Sequence, residues 1–478
     1  MLDGLLPAIV DAAIARGASY CDVRDVERES ELVDLQDGEI ESIERKGDRG
    51  IGLRVLRDGS WGFAASARVA DEAGLRALLD QAARLADAAR TVQRRAARLV
   101  PQAPQRGEYR TPLEQDPFAV PIPRRVELLR AADDAMRGPR VTTRRGSIAA
   151  YRTRKRLVTS EGTDVRQEIV ESAAGLNIVA VKGGVPPAIR GDMRSARQAG
   201  WEFVEELDLV SLGARYRDDA EATLDAPAAA AKPTTLILDQ SFLALMVHES
   251  CGHPTESDRV LEHEVAFAGT SFMWPKDRGT LRYGSTHVSI TADARVPGGM
   301  GTFGWDDDGV PATRTPLIER GIFTGYLTSR ETAAALGLVA SGGSSRAEGW
   351  QHSPLVRMVN VSLEPGDRSY ADLVGEVDDG LLLESPASYS LDDKRENFHF
   401  SAQVARVIRH GEVGGYVRGV GFQSLTKDWW GSCDGVAADD WELHGFLTCA
   451  KGEPLQSMRV GHGAAHARFR DRPIEVRA

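Results

Sequence analysis

The residues best suited to chemistry in this 478-residue chain are His248, Glu249 and His253, which stand together in the run HESCGH. Two imidazoles with a carboxylate beside the first are the parts of a metal hydrolase: the histidines hold a divalent ion and the glutamate takes a proton from the water it activates. In the widespread HExxH arrangement the histidines lie four apart on one helix face, whereas here the interval is five. At about 100° per residue, positions five apart on an α-helix diverge by roughly 140°, so an undistorted helix aims the two rings at different surroundings. Gly252 tolerates unusual dihedrals, and Pro254 disfavours the α region for the residue before it. Together they predict that the helix ends at Cys251 or Gly252 and that His253 turns back towards His248.

Two neutral imidazoles hold an ion weakly, and a catalytic zinc site commonly takes three protein ligands. Residue type offers Cys251, Glu256, Glu262, His263, Glu264, Cys433 and Cys449 as the third, and spacing alone does not choose among them. The apolar SFLALMV ahead of the motif predicts a buried helix, where a His/Glu/His cluster without a cation is costly. Peptide hydrolysis also needs a group to stabilise an oxyanion, for which His462, Tyr389 and Arg357 are candidates. The acidic run Asp306-Asp307-Asp308-Gly309 lacks the spacing of a calcium loop and reads as a solvated hairpin. Cys21 and the Trp429-Trp430 pair read as packing.

The elements that must carry these residues follow from periodicity. Leu5, Ile9, Ala12, Ala13 and Ile14 predict an amphipathic helix over 3–16 that stops at Gly17. Strand-like runs at 19–27, 30–36, 39–46 and 50–57 are punctuated by Asp37-Gly38, Gly47-Asp48 and Asp58-Gly59, and a second helix is predicted over 71–90. Prolines from 101 to 123 predict an extended connection leading to a helix at 124–136. Strands then resume from 141 to 181, with a turn at 160–163. The run APAAAAKP holds no large apolar residue, and a boundary placed there divides the chain into 1–228 and 229–478. The expected class is α+β: a mixed N-terminal domain with an antiparallel sheet, and a β-rich, barrel- or sandwich-like C-terminal domain carrying the HExxxH helix.

Composition narrows the function. Fifty-nine basic residues against 70 acidic ones give a net charge of −11, and without a long Lys/Arg run the chain is not expected to coat nucleic acid. Four scattered cysteines do not make a disulfide framework. The N-terminus lacks a basic segment followed by an apolar one, and nowhere do about 18 apolar residues run together, so no secretion signal or membrane span is expected and the cytoplasm is the expected compartment.

With these residues in view, the chain resembles the TldD/PmbA family of metallopeptidase-like proteins. The TldD branch has an HExxxH motif at the end of an apolar helix, matched by His248, Glu249 and His253. The segment FGWDDDGVPATRTPLIERGIFTGYLTSR (303–330) is similar to the family's DDxG turn and following hairpin, and SSRAEGWQHSPLVRMVN (344–360) to its R……PRM.N segment. GFLTCAKGEPLQSMRVGHGAAHARF (445–469) resembles the region where the branch supplies a cysteine ligand, which implies Cys449 as the third ligand of Zn²⁺. PmbA-type members lack the zinc motif, so the resemblance implies a catalytic, TldD-like chain. It further implies a zinc peptidase acting on unfolded or flexible peptides in an enclosed cavity, in peptide maturation or degradation. The partner it implies is a second copy or a PmbA-like subunit, with the dimer formed around that cavity. The competing expectations are a peptide-binding or partner-stabilising subunit with a structural metal, and a cysteine amidase using Cys449 or Cys251.

Overall fold

The computed structural model describes residues 4–266, 269–452 and 454–476, apart from the side chains of residues 193 and 194. Helix α1 (Leu5–Ala15) buries Leu6, Ile9, Val10 and Ala13 on one face. Strands β1 (Tyr20–Gln36), β2 (Glu39–Arg57) and β3 (Ser60–Ser66) follow, then helix α2 (Glu72–Ala89). The turns at Asp37-Gly38 and Asp58-Gly59 have positive φ at both positions, the geometry that two-residue hairpins favour. The expected turn at Gly47-Asp48 is absent, and the four short strands are two long ones. Pairing runs unbroken through Arg28↔Asp48 and Glu29↔Gly47, Asp48 is tied to Arg28, and the glycine at 50 lets Trp350 lie against the strand, where a Cβ would come within 2.3 Å of its ring.

The connection after α2 is extended as expected, but part of it, β4 (Arg106–Arg110), joins the sheet. Helix α3 (Ile122–Ala135) leads to the long hairpin β5 (Val141–Thr159) and β6 (Asp164–Ala180), to which β7 (Ala188–Arg197) is added. The sheet order is β3-β2-β1-β5-β6-β4, with β7 also on β6. Helix α5 (Leu209–Asp225), preceded by the short α4 (Glu202–Glu206), packs with α3 over the core formed by Ile148, Leu176 and Ile178.

The second half is β-rich. Strand β8 (Thr234–Leu238), buried throughout, lies between strands 467–472 and 379–391 of an eight-stranded sheet, antiparallel to the first and parallel to the second. Helix α6 (Gln240–Val247) crosses its face, with Phe242, Leu243, Met246 and Val247 in the main core. Strands 442–451 and 456–464 form a separate hairpin against which α6 also packs.

The two halves are joined by buried charge, and the acidic run supplies it. Asp306, Asp307 and Asp308 are all buried, so the solvated hairpin expected from the residues is not what forms. Asp306 accepts the amides of Asp308, Val310 and Ser345. Asp307 pairs with Lys155 at 2.5 Å, and Asp308 with Arg54 at 2.9 Å. Arg54 also holds Asp22. The run is buried against single cations carried by the facing strands, Arg54 on β2 and Lys155 on β5. Removing one partner from a buried ion network leaves the others uncompensated, at a cost of about 3–5 kcal/mol. Arg54→Met should lower the thermal midpoint accordingly, and Arg54→Met with Asp308→Leu should recover part of the loss. Additive effects in that cycle would show that the two side chains do not interact.

Candidate metal centre

Helix α6 starts at Asp239, whose carboxylate accepts the amide of Phe242 at 2.7 Å, and its apolar face fixes the helix against the sheet. At His248 the coil widens: residues His248–Gly252 form a π-helical turn, and the amide of His253 donates to the carbonyl of His248, five residues back. A tighter turn at His253–Thr255 follows. The expected bend at Gly252 and departure of His253 from helical geometry do not occur, since both keep helical dihedrals. The widened turn itself brings the sixth residue back over the first, which resolves the five-residue interval. The ring centroids of His248 and His253 are 4.8 Å apart. Gly252 is needed for closeness rather than for dihedral freedom, because a Cβ would sit 2.3 Å from the sulfur of Met358. Pro254 has no N–H to donate to the Ser250 carbonyl, and the Tyr283 hydroxyl donates there at 3.1 Å.

Three donors converge at this turn. One ligand atom each from His248, His253 and Cys449 lies within 4.8 Å of the others, all three residues buried, and the Cys449 sulfur is 3.8 Å from His253 Nε2. Tetrahedral zinc with two nitrogen ligands and one sulfur ligand has donors about 3.3–3.6 Å apart, so the cluster fits that ion with small adjustments. The ring protons agree. His462 Nδ1 lies 2.8 Å from the Val361 carbonyl, which only accepts, so His462 carries its proton there. Its bare Nε2 then accepts the Nδ1–H of His248 at 2.7 Å. Glu256 accepts the Nδ1–H of His253 at 2.9 Å. Both motif histidines therefore present a bare Nε2. Burial, reinforced for His248 by His462 and for His253 by Arg395, holds both imidazoles well below their usual pKa, and burial lowers His462 to about 4. Neutral rings are the form that binds metal.

Glu249 faces a cleft of about 570 Å³ between the halves, whose walls include Asp192, Tyr389, His444 and Phe446. Burial raises its pKa, against the guanidinium of Arg395, which contacts the carboxylate directly.

The other sequence candidates are placed elsewhere. Cys251 and Cys433 are buried in the core and do not join the donor group, and burial pushes the Cys433 thiol up to about 12. Glu262 and His263 are exposed. Glu264 lies 3.8 Å from the buried Lys451, which also touches Asp258 and approaches Glu256. Arg357 is buried with its guanidinium on the carbonyls of Cys449 and Gln456, and His462 stands behind His248, so neither is turned to the cleft. Tyr389 is half-exposed in it. The tryptophans pack as expected: Trp429 stacks on Phe422 and Phe469, and Trp430 donates to Ser250 Oγ at 3.0 Å. Sequence reasoning missed Arg395, which sits in a hairpin loop 146 residues from Glu249 with no spacing signal to mark it.

Comparison with known proteins accords with this geometry. The profile of the PmbA/TldA metallopeptidase C-terminal domain matches residues 231–471, and those of domain 1 and the central domain match 21–86 and 115–224. The chain belongs to the PmbA/TldD family. It is 28% identical to a metalloprotease of Methanocaldococcus jannaschii over 94% of this chain and 95% of that protein. It is 23% identical to a protein of Saccharolobus solfataricus named as a zinc metalloprotease TldD homolog, over 66% and 67%. In fold it is similar to TldE from Thermococcus kodakarensis, with a TM-score of 0.74, 18% identity, and 98% and 99% of the two chains covered. With relatives named as metalloproteases and a buried group of two histidines and a cysteine that could hold a metal, the chain is a metallopeptidase, and zinc is its cofactor. Among the described residues, no helix is long and apolar enough to cross a membrane.

The wide turn depends on groups that occupy its carbonyls. Tyr283→Phe removes the hydroxyl from the buried Ser250 carbonyl, an unsatisfied group costing about 1–3 kcal/mol. The thermal midpoint of the variant should fall accordingly with circular dichroism unchanged; an unaltered midpoint would mean the turn does not need this prop.

Proposed function

We propose that this chain hydrolyses peptide bonds of flexible or unfolded peptides, with zinc held by Nε2 of His248, Nε2 of His253 and the sulfur of Cys449, and with Glu249 as the general base. The observation that carries the reading is the meeting of three buried donors, two of them imidazoles whose free nitrogens are fixed by His462, Val361 and Glu256, beside a carboxylate that opens on a cleft. Zinc, when bound, supplies Lewis acidity towards a carbonyl oxygen and lowers the pKa of water. Glu249 takes the water proton and passes it to the leaving amine, a role to which its raised pKa is suited. His462 and Glu256 hold the rings in the binding tautomer, and Arg357 anchors the Cys449 backbone. Burial pushes the Cys449 thiol up to about 11, so its proton leaves when a cation takes the sulfur.

The cleft lies between segments of both halves, which supports exclusion of folded chains and the division into domains 1–228 and 229–478. A second copy or a PmbA-like (TldE-like) subunit would complete an enclosed chamber, and the cytoplasm is the compartment that suits a free thiol ligand.

Glu249→Gln should keep stoichiometric zinc and lose cleavage of an unstructured fluorogenic peptide; unchanged turnover would remove Glu249 from the chemistry. Cys449→Ser should lose zinc on purification, and retained zinc would reject the sulfur ligand. His462→Ala should weaken zinc binding by about 10–100-fold in competition with a chromophoric chelator, and unaltered affinity would make the His462 contact incidental.

A further inference from the structure

A peptidase site needs a group that meets the oxygen of the scissile carbonyl as it becomes negative, and the candidates read from the sequence are mostly turned away from the cleft. Arg357 is spent on backbone carbonyls and His462 lies behind His248. The guanidinium of Arg395 lies directly against the Glu249 carboxylate.

The loop that carries it is built to hold it there. Arg395 closes the hairpin between strands 379–391 and 397–409 with φ +64°, a left-handed conformation that a non-glycine residue adopts at a cost. Asp392 accepts the amides of Glu396 and Asn397, and its carbonyl accepts that of Arg395. Thr426 donates to the Arg395 carbonyl at 2.9 Å. The side chain is about one-fifth exposed, and its buried Nε–H has no hydrogen-bond partner among the described residues. A guanidinium with an unused buried donor, on a backbone anchored in this way, is suited to more than one acceptor.

We propose that Arg395 is a catalytic residue with two acceptors: the Glu249 carboxylate in the resting chain, and the developing oxyanion of the peptide during hydrolysis. The proposal rests on the peptidase reading above. As water oxygen bonds to the carbonyl carbon, its proton passes to Glu249 and the carbonyl π pair moves to oxygen, where an Arg395 N–H donates to it. When the carbonyl re-forms, the C–N bond breaks and the proton on Glu249 goes to the leaving nitrogen. The charge of Glu249 falls in the same step in which the charge on the carbonyl oxygen rises, so the guanidinium exchanges one anion for another without being left unpaired in the interior.

The test uses zinc-loaded full-length chain, an unstructured fluorogenic peptide, its phosphinic analogue and its cleavage product. Arg395→Asn, which accommodates the left-handed backbone, should lower kcat by about 10²–10³-fold with KM within about threefold. Affinity for the phosphinic analogue, measured calorimetrically, should fall in parallel with kcat, while affinity for the product stays within about threefold of wild type. Arg395→Lys, with its charge but not its fork, should fall between the two. Zinc content should match wild type throughout. An unchanged or raised kcat in Arg395→Asn would make the residue a brake on Glu249 and overturn the proposal. So would a loss confined to KM and to peptides with a free C-terminal carboxylate, which would make it a terminus anchor, and so would loss of zinc from both variants. Wild-type chain that leaves the peptide uncut would instead reject the peptidase reading itself, and this proposal with it.

Discussion

A helix that must bring two imidazoles five residues apart to one point has to widen, and most of what surrounds His248–Gly252 exists to keep it wide. A π turn gives up regular α hydrogen bonding and places carbonyls where no amide meets them. Here the surroundings supply what the turn lacks. The Ser250 hydroxyl donates to the Met246 carbonyl, Thr255 Oγ1 lies within hydrogen-bonding distance of the carbonyls of Cys251 and Gly252, and Tyr283 and Trp430 close on Ser250 from outside the helix. Cys251 is buried in the core and stands outside the donor cluster, so the residue between the histidines is committed to packing. The turn is a packed object whose shape is set from several elements at once, and this lets it aim two rings with little freedom.

Electrostatics impose the second condition. Three neutral imidazoles stand buried near Arg395, Arg357 and Lys451, none of which favours a protonated ring. The two motif rings are held unequally. His253 donates to a carboxylate, which strengthens its nitrogen as a donor, whereas His248 donates to another neutral ring that ends on a backbone carbonyl. Lys451, fully buried among Glu256, Asp258 and Glu264, offsets part of the negative charge that Glu256 brings. A carboxylate on both rings would add a further buried charge to a site that already contains Glu249.

How far the sequence could be read depended on whether a signal was local. The HESCGH run, the apolar helix before it and the turns at Asp37-Gly38 and Asp58-Gly59 are short-range patterns and were legible. The widened turn was not, because Gly252 and Pro254 carry ordinary local preferences that point to a bend, and the contacts of Met358 and Tyr283 that decide otherwise come from distant segments. Spacing left the third donor open, and Cys449 was reached through family resemblance. Glu256 was legible as a possible ligand because an acceptor for a ring N–H and a donor to a metal are the same residue type; only distance separates the roles. The acidic run was misread for a related reason: three consecutive carboxylates look solvated until Arg54 and Lys155 are known to face them.

The junction and the site are therefore parts of one arrangement. The Asp306–Gly309 turn holds strands β2 and β5 to the C-terminal half, and the cleft on which Glu249 opens takes Asn177, Gly191 and Asp192 from β6 and β7 of the same N-terminal sheet. Gln403 links the two across the cleft wall, accepting the amide of Gly191 and donating to its carbonyl, while Arg190 reaches Glu384 and Ser385 on the strand that leads to Tyr389. A change in how the halves meet would thus alter the width of the cleft without touching the donors, which are all carried by the C-terminal half. Capture of the ion and admission of a peptide are controlled by different parts of the chain. That separation lets the donor set stay rigid while the entrance is shaped by the sheet that faces it.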